Sequence, residues 1–380
     1  MTDSLASEET TAVSEFSREY HRSLVDKLIS LSGCDAEERD VMDKRRDSIR
    51  DFLERLFYSP MPQQANRSLL DDQQVETKYC DKISQLVAQN GPSSKEDFYK
   101  IFRELHGDIK DGYISETQFL KALVTLGPAI SKEALMGRIL WRPRGYAGDF
   151  ETLEKIYNHE VSLNPEITKW DEVFHCPGAE SVIMRLNFMV EQIMQAIYDK
   201  KIPLVADVAC GGARLAKEVF ARMEREEIDP EALGGIVCFD GDKNALKFAE
   251  RRQWNDKLIL MKDKNVLKGF KGEDMFDMIV SMGLHDYFDT ETSTIMKRRY
   301  FRAAKKKGGV VNIGNFAKGH VDMPWTACFN WELWLRNTAD MQEETKEAAR
   351  KEGLSVKSEF TSLSADEVSI SQHIESVKLT

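Results

Sequence analysis

The first part of the chain carries its apolar residues at helical spacing. Stretches such as Val41 to Phe57 and Phe98 to Leu105 repeat at about 3.6 residues, and no alternating strand pattern interrupts them. Proline and glycine residues divide the region into several segments. The pattern predicts an all-helical N-terminal domain or cap over residues 1–140.

From about Ala179 onward, short apolar runs alternate with helical segments. A helix is predicted from Glu180 to Tyr198. The strand candidates that follow are Pro203 to Val208, Gly235 to Asp240, Leu258 to Met261, Asp277 to Ser281 and Gly309 to Ile313. Such alternation is typical of an α/β fold, a parallel Rossmann-like sheet with helices on both faces. We expect this domain to span residues 179–380.

The end of the chain predicts a different kind of pairing. A long helical stretch runs from Asn330 to Glu352, and two β-rich segments follow it, Leu354 to Phe360 and Val368 to Val377. A polar stretch separates these two segments. They would close the sheet as a hairpin.

A segment of unusual composition lies between the two regions. Trp141 to Phe150 contains one proline, two glycines, two arginines and three aromatic residues, so it cannot form a regular helix. A plain linker is the alternative, although linkers seldom concentrate aromatic residues. We interpret residues 141–178 as a lid and linker. Tyr146 is a catalytic candidate there, and Arg144 and Gly148 are candidates for contact with a cofactor.

The stretch from Val205 to Ala216 is an apolar strand that ends in Asp207, turns on small residues and enters a helix. Small residues let the backbone approach a bound ligand closely. The next strand ends in a second acid, Asp240. Two acids at neighbouring strand ends suit a ligand with a cationic amino acid at one end and a ribose diol at the other, which describes S-adenosylmethionine (SAM).

A dinucleotide is the competing ligand for such a turn. Its binding loop needs G-x-G-x-x-G so that a pyrophosphate can lie at a helix N-terminus, and this loop lacks that pattern. Asp207 would also repel a pyrophosphate, whereas it would attract an ammonium group. The charges favour SAM over NAD.

Further cofactor contacts are expected where the first three strands end. The predicted cofactor-binding residues of the sheet domain are Asp207, Ala209, Gly211, Gly212, Asp240, Gly241, Asn265 and Val266. A carboxylate can accept hydrogen bonds from both hydroxyls of a ribose diol, and Asp242 competes with Asp240 for this role. Asn265 could instead cap a turn.

The fourth strand runs into Gly283, Leu284, His285, Asp286 and Tyr287. Two titratable side chains in tandem suggest a general base or a clamp for the acceptor, with His285 and Asp286 as catalytic candidates and Tyr287 beside the substrate. The alternative is that they cap a helix.

Substrate contacts are predicted after the fifth strand. The candidates are Asn315, Trp331 and Arg336, and three tryptophans nearby form either an apolar substrate wall or a packed helix. Arg336, at helical spacing from Trp331 and Glu332, could hold a substrate carboxylate or pair with Glu332.

Composition excludes several classes of partner. The net charge of −11 argues against a nucleic-acid substrate. The six cysteines are scattered without metal-ligand spacing, so we expect no metal, reduced thiols and a cytoplasmic protein. No segment approaches the roughly 18 apolar residues of a membrane span. The chain could form a homodimer.

Several segments together resemble one family. RPRGYAGDFETLEKIY, VADVACGGAR, FDGDKNALKFAERR, FDMIVSMGLHDYF and IGNF are similar to bacterial class I SAM-dependent methyltransferases of the extracellular-factor type, which make 3-hydroxypalmitic acid methyl ester. The resemblance covers roughly Leu140 to the C-terminus. It implies a seven-stranded sheet, SAM as cofactor and methyl transfer.

The chain departs from this family at two positions. His285 replaces an aromatic residue, and Gly212 stands where members often have proline. The first change implies a different acceptor, and the second leaves cofactor binding intact.

The predicted function is methyl transfer from SAM to a small-molecule acceptor. The accepting atom is either an oxygen, of a carboxylate or a hydroxyl group, or a nitrogen. A carboxylate is already ionised at neutral pH and needs no base, so His285 would then orient the acceptor, held by Arg336 or Arg144. A hydroxyl or protonated amine would need His285, supported by Asp286, as base. The alternative function is that of a non-catalytic SAM-binding sensor or scaffold.

Overall fold

The computed structural model describes residues 20, 22–31, 39–58, 69–89, 91–92, 94–131, 133–251, 257–261, 273–366 and 369–380. The chain forms two compact units. The helical unit runs up to Thr152 and adds His159–Cys176 and Asp322–Trp331. The sheet unit comprises Leu153–Asn158, Pro177–Val321 and Glu332–Thr380.

The helical unit contains no strand among its described residues. Its helices are 22–31, Arg39–Tyr58, Asp72–Val75, Glu76–Cys80 with π geometry, Asp81–Ala88, Lys95–Lys110, Glu116–Thr125, a 3-10 turn Gly127–Ile130, Leu135–Trp141, Pro165–Phe174 and Met323–Cys328. The helical periodicity of this region therefore predicted its secondary structure. Its role as a cap, and the predicted boundaries at residues 140 and 178, stay predictions.

Aromatic side chains form part of the core of the helical unit. The ring of Phe98 packs against Phe102, Trp170 and Trp325, with ring centroids 4.7, 6.3 and 5.9 Å apart. Phe329 stacks on Phe98 at 6.4 Å. Trp325 is 2% exposed, so it belongs to this packing and not to a substrate wall.

The sheet unit is built on seven strands. They are β1 (Leu204–Val208), β2 (Gly235–Phe239), β3 (Leu258–Met261), β4 (Met278–Ser281), β5 (Val310–Phe316), β6 (Val356–Leu363) and β7 (Gln372–Leu379). Their spatial order is β3-β2-β1-β4-β5-β7-β6. The first five strands are parallel, and β7 pairs antiparallel with both β5 and β6. The predicted α/β fold class and its closing hairpin are confirmed.

Helices cover both faces of the sheet. They are Pro177–Tyr198, Arg214–Arg225, Lys243–Arg251, Thr290–Ala303 and Thr338–Glu352, with short 3-10 turns at Pro230–Ala232 and His285–Tyr287. Successive strand residues point to opposite faces, so Val205 packs with the first two helices and Ala206 with the last two. The helix Phe150–Tyr157 ends in this unit. No helix of the described residues is long and apolar enough to cross a membrane.

The helix predicted from Asn330 begins later, at Thr338. Asn337 forms a capping box with Asp340, each side chain accepting the other's backbone N–H at 2.8 and 2.9 Å, and this fixes the helix start. The preceding residues are irregular. The helical spacing expected between Trp331 and Arg336 is therefore wrong.

Candidate functional site

The loop after β1 has a strained backbone. Ala209, Gly211 and Ala213 adopt left-handed conformations, with φ of 59°, 54° and 58°. Glycine adopts such angles freely, whereas alanine does so at a cost of roughly 1–2 kcal/mol. Strain of this kind persists only where surrounding contacts hold it, and it concentrates at ligand sites.

Asp240 holds this loop in place. Its Oδ2 accepts the backbone N–H of Gly211 at 2.7 Å, and its Oδ1 accepts that of Asp242 at 2.7 Å. The competitor Asp242 accepts the N–H of Asn244 at 2.8 Å and so caps the next helix. Backbone N–H groups thus occupy both oxygens of Asp240, whereas Oδ2 of Asp242 is buried without a hydrogen-bond partner within the described ranges, so Asp242 stays a competitor of Asp240 for a ribose diol.

Asp207 is a buried carboxylate of a different kind. It is fully buried, and neither of its oxygens has a hydrogen-bond partner among the residues that the structure describes. Burial, and then the charge of Asp240, raise the pKa of Asp207 to about 7. A buried carboxylate without donors is costly, so this position suits a ligand that brings a positive charge.

Two glycines at the site differ in the space around them. A Cβ on Gly212 would lie 2.9 Å from the ring of Phe248 and 3.3 Å from Oε1 of Glu154, so the loop needs glycine there for packing. A Cβ on Gly241 would meet nothing within 4 Å in the described part of the chain. The backbone beside Asp240 is therefore accessible to a ligand.

The end of the helix Phe150–Tyr157 contacts the same loop region, which the sequence did not predict. Arg214, just after the loop, donates from Nη1 to Oδ1 of Asn158 at 2.8 Å and to Oε2 of Glu154 at 3.3 Å. Its guanidinium lies 5.3 Å from the ring centre of Tyr157. Burial raises the pKa of Tyr157 to about 12, with Arg185 opposing and Asp207 adding to the shift.

Arg185 is the second residue that the sequence did not reveal. It lies in the middle of the helix Pro177–Tyr198, and its side chain is 4% exposed. Nη1 reaches Oδ2 of Asp286 at 3.4 Å, and the guanidinium lies 5.8 Å from the ring centre of Phe316. An interior position on an amphipathic helix gave no local signal for it.

Asp286 does not support His285. Its Oδ1 accepts the backbone N–H of Phe316 at 2.7 Å, and its Oδ2 faces Arg185. Burial raises the pKa of Asp286 to about 6, with Arg185 opposing. The predicted pairing of these tandem residues is wrong, because they point to different partners.

His285 takes part in a buried polar chain. Its Nδ1 lies 2.8 Å from Oγ of Ser293, which donates to Oε2 of Glu344 at 2.7 Å. The ring packs edge-on against Tyr300, with centroids 5.6 Å apart. Burial, with Lys297 and Arg336, holds the pKa of His285 well below its usual range. The imidazole is therefore neutral, and its role as a base stays a prediction.

Two residues predicted to bind substrate are used inside the protein. Arg336 donates to Oε1 of Glu344 at 2.7 Å and to Oδ1 of Asn315 at 2.9 Å, and it is 4% exposed. Nδ2 of Asn315 donates to the carbonyls of Phe316 and Trp334 at 3.0 and 2.9 Å. Both tie β5 to the irregular segment before the last helix, and their predicted contact with a substrate stays a prediction.

The other two substrate candidates, Trp331 and Tyr287, differ in exposure. Trp331 is 8% exposed and belongs to the helical unit. Tyr287 closes the 3-10 turn after β4 and is 39% exposed, which leaves it open to an acceptor. Asn265 and Val266 lie outside the described residues.

Most of the segment predicted as a lid and linker belongs to the helical unit, but Leu153–Asn158 and residues 177–178 belong to the sheet unit. Arg144 forms an ion pair with Glu151 and lies 4.6 Å from the ring centre of Phe150. Arg138 donates to both oxygens of Asp149 at 3.0 and 3.1 Å. These contacts fix the segment locally. Cofactor contact by Arg144, Tyr146 and Gly148 stays a prediction.

The chain resembles solved structures remotely. A possible exported protein from Bordetella parapertussis superposes with a TM-score of 0.49 at 16% identity, over 84% of this chain and 99% of that one. A SAM-dependent methyltransferase from Leishmania major gives 0.39 at 11%, over 60% and 81%. One from Mesorhizobium loti gives 0.35 at 14%, over 47% and 91%. At these values the similarity identifies no acceptor. Neither a protein-family model nor a curated protein matches the sequence.

Proposed function

We propose that this chain binds SAM at the carboxyl ends of β1 and β2 and transfers its methyl group to a small-molecule acceptor. The observation that carries the proposal is the pair of acids there. Asp207 is buried with neither oxygen hydrogen-bonded within the described ranges, and Asp240 stands beside it. An ammonium group would compensate the first acid, and a ribose diol would bind the second.

The surrounding residues fit such a ligand. The strained loop includes Gly211 with a φ of 54°, and a Cβ on Gly241 would meet nothing within 4 Å among the described residues, so the backbone there is open. Ligands of open parallel sheets bind at this end of the strands. Asp207 would repel the pyrophosphate of a dinucleotide, which disfavours NAD.

The cofactor would supply a methyl carbon made electrophilic by its bond to a sulfonium sulfur. Asp207 and Asp240 would fix the two ends of the bound molecule and so orient that carbon. Burial around these acids would exclude water. Orientation and desolvation of this kind are established sources of rate acceleration.

The accepting atom is an oxygen, of a carboxylate or a hydroxyl group, or a nitrogen. Of these acceptors we favour a carboxylate. A carboxylate needs no base at neutral pH, so this acceptor would require no proton transfer to the buried ring of His285. Tyr287 is the candidate that is open to an acceptor. The resemblance to the family that makes 3-hydroxypalmitic acid methyl ester points the same way.

The biological setting is part of the proposal. We assign the chain to small-molecule biosynthesis in the cytoplasm, with the helical unit as a cap and a homodimer as one assembly. The cysteines of the described residues are buried and form no disulfide, which fits a reducing compartment.

Methyl-labelled SAM incubated with the protein and a metabolite extract tests the activity. The proposal expects label in a small molecule and release of S-adenosylhomocysteine. A sensor or scaffold would bind SAM in calorimetry but would release no S-adenosylhomocysteine. Binding of NAD in place of SAM would overturn the proposal.

A further inference from the structure

Arg185 is a buried cation whose charge is weakly compensated. Its single ion pair in the described structure, with Asp286, is long at 3.4 Å. Asp286 also accepts the backbone N–H of Phe316, so its charge is shared. The Nε of Arg185 is buried and has no hydrogen-bond partner within the described ranges. A buried guanidinium in this state favours an anion.

The ends of β4 and β5 are shaped around this side chain. A Cβ on Gly283, just after β4, would lie 2.9 Å from Nη2 of Arg185. A Cβ on Gly314, in β5, would lie 2.5 Å from its Cδ. Glycine at both positions lets the guanidinium lie at the carboxyl end of the sheet, where Asp207 is the last residue but one of β1 and pairs with Val280 of β4.

Tyr157 lies within electrostatic range of both charged residues. Arg185 lowers the pKa of its hydroxyl, and Asp207 raises it. β1 is the direct neighbour of β4, and adjacent strands are about 4.8 Å apart. A buried cation and a buried anion, each short of partners, therefore stand one or two strands apart at one edge.

We infer that Arg185 binds the carboxylate of the amino-acid end of the cofactor while Asp207 binds its ammonium group. A zwitterionic amino acid carries these two charges on one carbon, so it matches both side chains at once. The inference depends on the proposed function. It makes Arg185 a specificity residue for a ligand with an intact amino-acid group.

Calorimetry with three ligands tests this assignment. S-adenosylmethionine carries both charges, its decarboxylated analogue keeps the ammonium alone, and 5′-methylthioadenosine has neither. Wild type should bind the decarboxylated analogue about 10- to 100-fold more weakly than SAM, as expected for one charged hydrogen-bonded pair. Arg185→Gln should bind SAM and the decarboxylated analogue about equally, and 5′-methylthioadenosine as wild type does.

Two further variants keep the test decisive. Arg185→Lys retains the charge with a shorter reach, and its preference for SAM should fall between those of wild type and Arg185→Gln; it serves if the latter does not fold. Arg222→Gln is the matched control, since Arg222 pairs with Glu191 and Glu226 in the same unit. It should leave all three dissociation constants unchanged.

An unchanged preference for SAM in the Arg185 variants would overturn the inference, as would a wild type that does not distinguish SAM from its decarboxylated analogue. A loss confined to the Michaelis constant of the acceptor would also overturn it, because Arg185 would then bind the acceptor. The proposed function fails separately, if wild type binds none of the three ligands.

Discussion

Asp207 illustrates how a proposed binding residue can lower the stability of the free protein. Its pKa is about 7 in the fold, against about 3.9 in an unfolded chain. The folded state therefore binds more protons between these values, and stability falls as pH rises from about 4 to 7. Above pH 7 the carboxylate is ionised in both states, and the loss of stability is complete.

Replacement of Asp207 by asparagine should remove this cost. We expect Asp207→Asn to raise the ligand-free stability at pH 8 by on the order of 1–4 kcal/mol, and to change it little at pH 4. Thermal unfolding of both proteins at the two pH values measures this. Exposed Asp199→Asn is the control, and a lower melting temperature for Asp207→Asn at pH 8 would contradict the assignment.

Cofactor affinity should depend on pH through the same residue. The ammonium group binds the ionised carboxylate, so affinity should be constant above pH 7 and fall up to about tenfold per pH unit below it. Calorimetric titration with S-adenosylhomocysteine from pH 5 to 8 checks this. In Asp207→Asn the dependence should be absent, and a wild-type affinity independent of pH would speak against the role of Asp207.

The sequence predicted the position of those candidate residues that follow directly from strand ends, and their role in binding stays a prediction. Asp207 and Asp240 were found because an apolar run ended in an acid and small residues followed. Arg185 was missed because a single arginine within a helix carries no local pattern. Arg336 was misread because a helix was extended across Asn337, whose capping box stops it.

At the scale of elements, a buried charge network joins the C-terminal half of the sheet unit. Nζ of Lys297 donates to Glu375 on β7 at 3.1 Å and to the carbonyl of Met341 at 2.8 Å, and lies 3.3 Å from Glu344. All three charged side chains are 2% exposed or less. The network therefore connects the helix Thr290–Ala303 to the last helix and to the hairpin.

Loss of Lys297 should be costly. Lys297→Met would leave a buried carboxylate without its cation and destabilise the protein by about 3–5 kcal/mol. Denaturant unfolding at pH 7 measures the loss. Lys297→Met with Glu375→Gln should recover part of it, whereas a single variant as stable as wild type would show that the network contributes little.

Two glycines allow a matched test of the strand ends. A Cβ on Gly314 would lie 2.7 Å from the carbonyl oxygen of Met282 as well as close to Arg185, whereas one on Gly241 meets nothing within 4 Å in the described chain. Gly314→Ala should therefore destabilise by about 1–3 kcal/mol, and Gly241→Ala should be nearly neutral. Melting temperatures decide, and equal values would argue against the crowding at β5.

The order of elements was predictable because apolar runs and helical spacing alternate clearly after Ala179. The pairing of the last two strands followed from their nearness in sequence. Their insertion order, with β7 between β5 and β6, did not, because it depends on long-range pairing along β5. The start of the last helix depends on one cap, which periodicity does not detect.

At the scale of the molecule, the proposal depends on two acids at the carboxyl edge of one sheet. The decisive measurement is the calorimetric affinity for S-adenosylhomocysteine of wild type, Asp207→Asn, Asp240→Asn and the double variant. We predict that each single variant binds at least about tenfold more weakly, as expected for a lost charged hydrogen bond, and that the double variant shows no measurable binding. Wild-type affinity in a folded double variant would contradict the proposal.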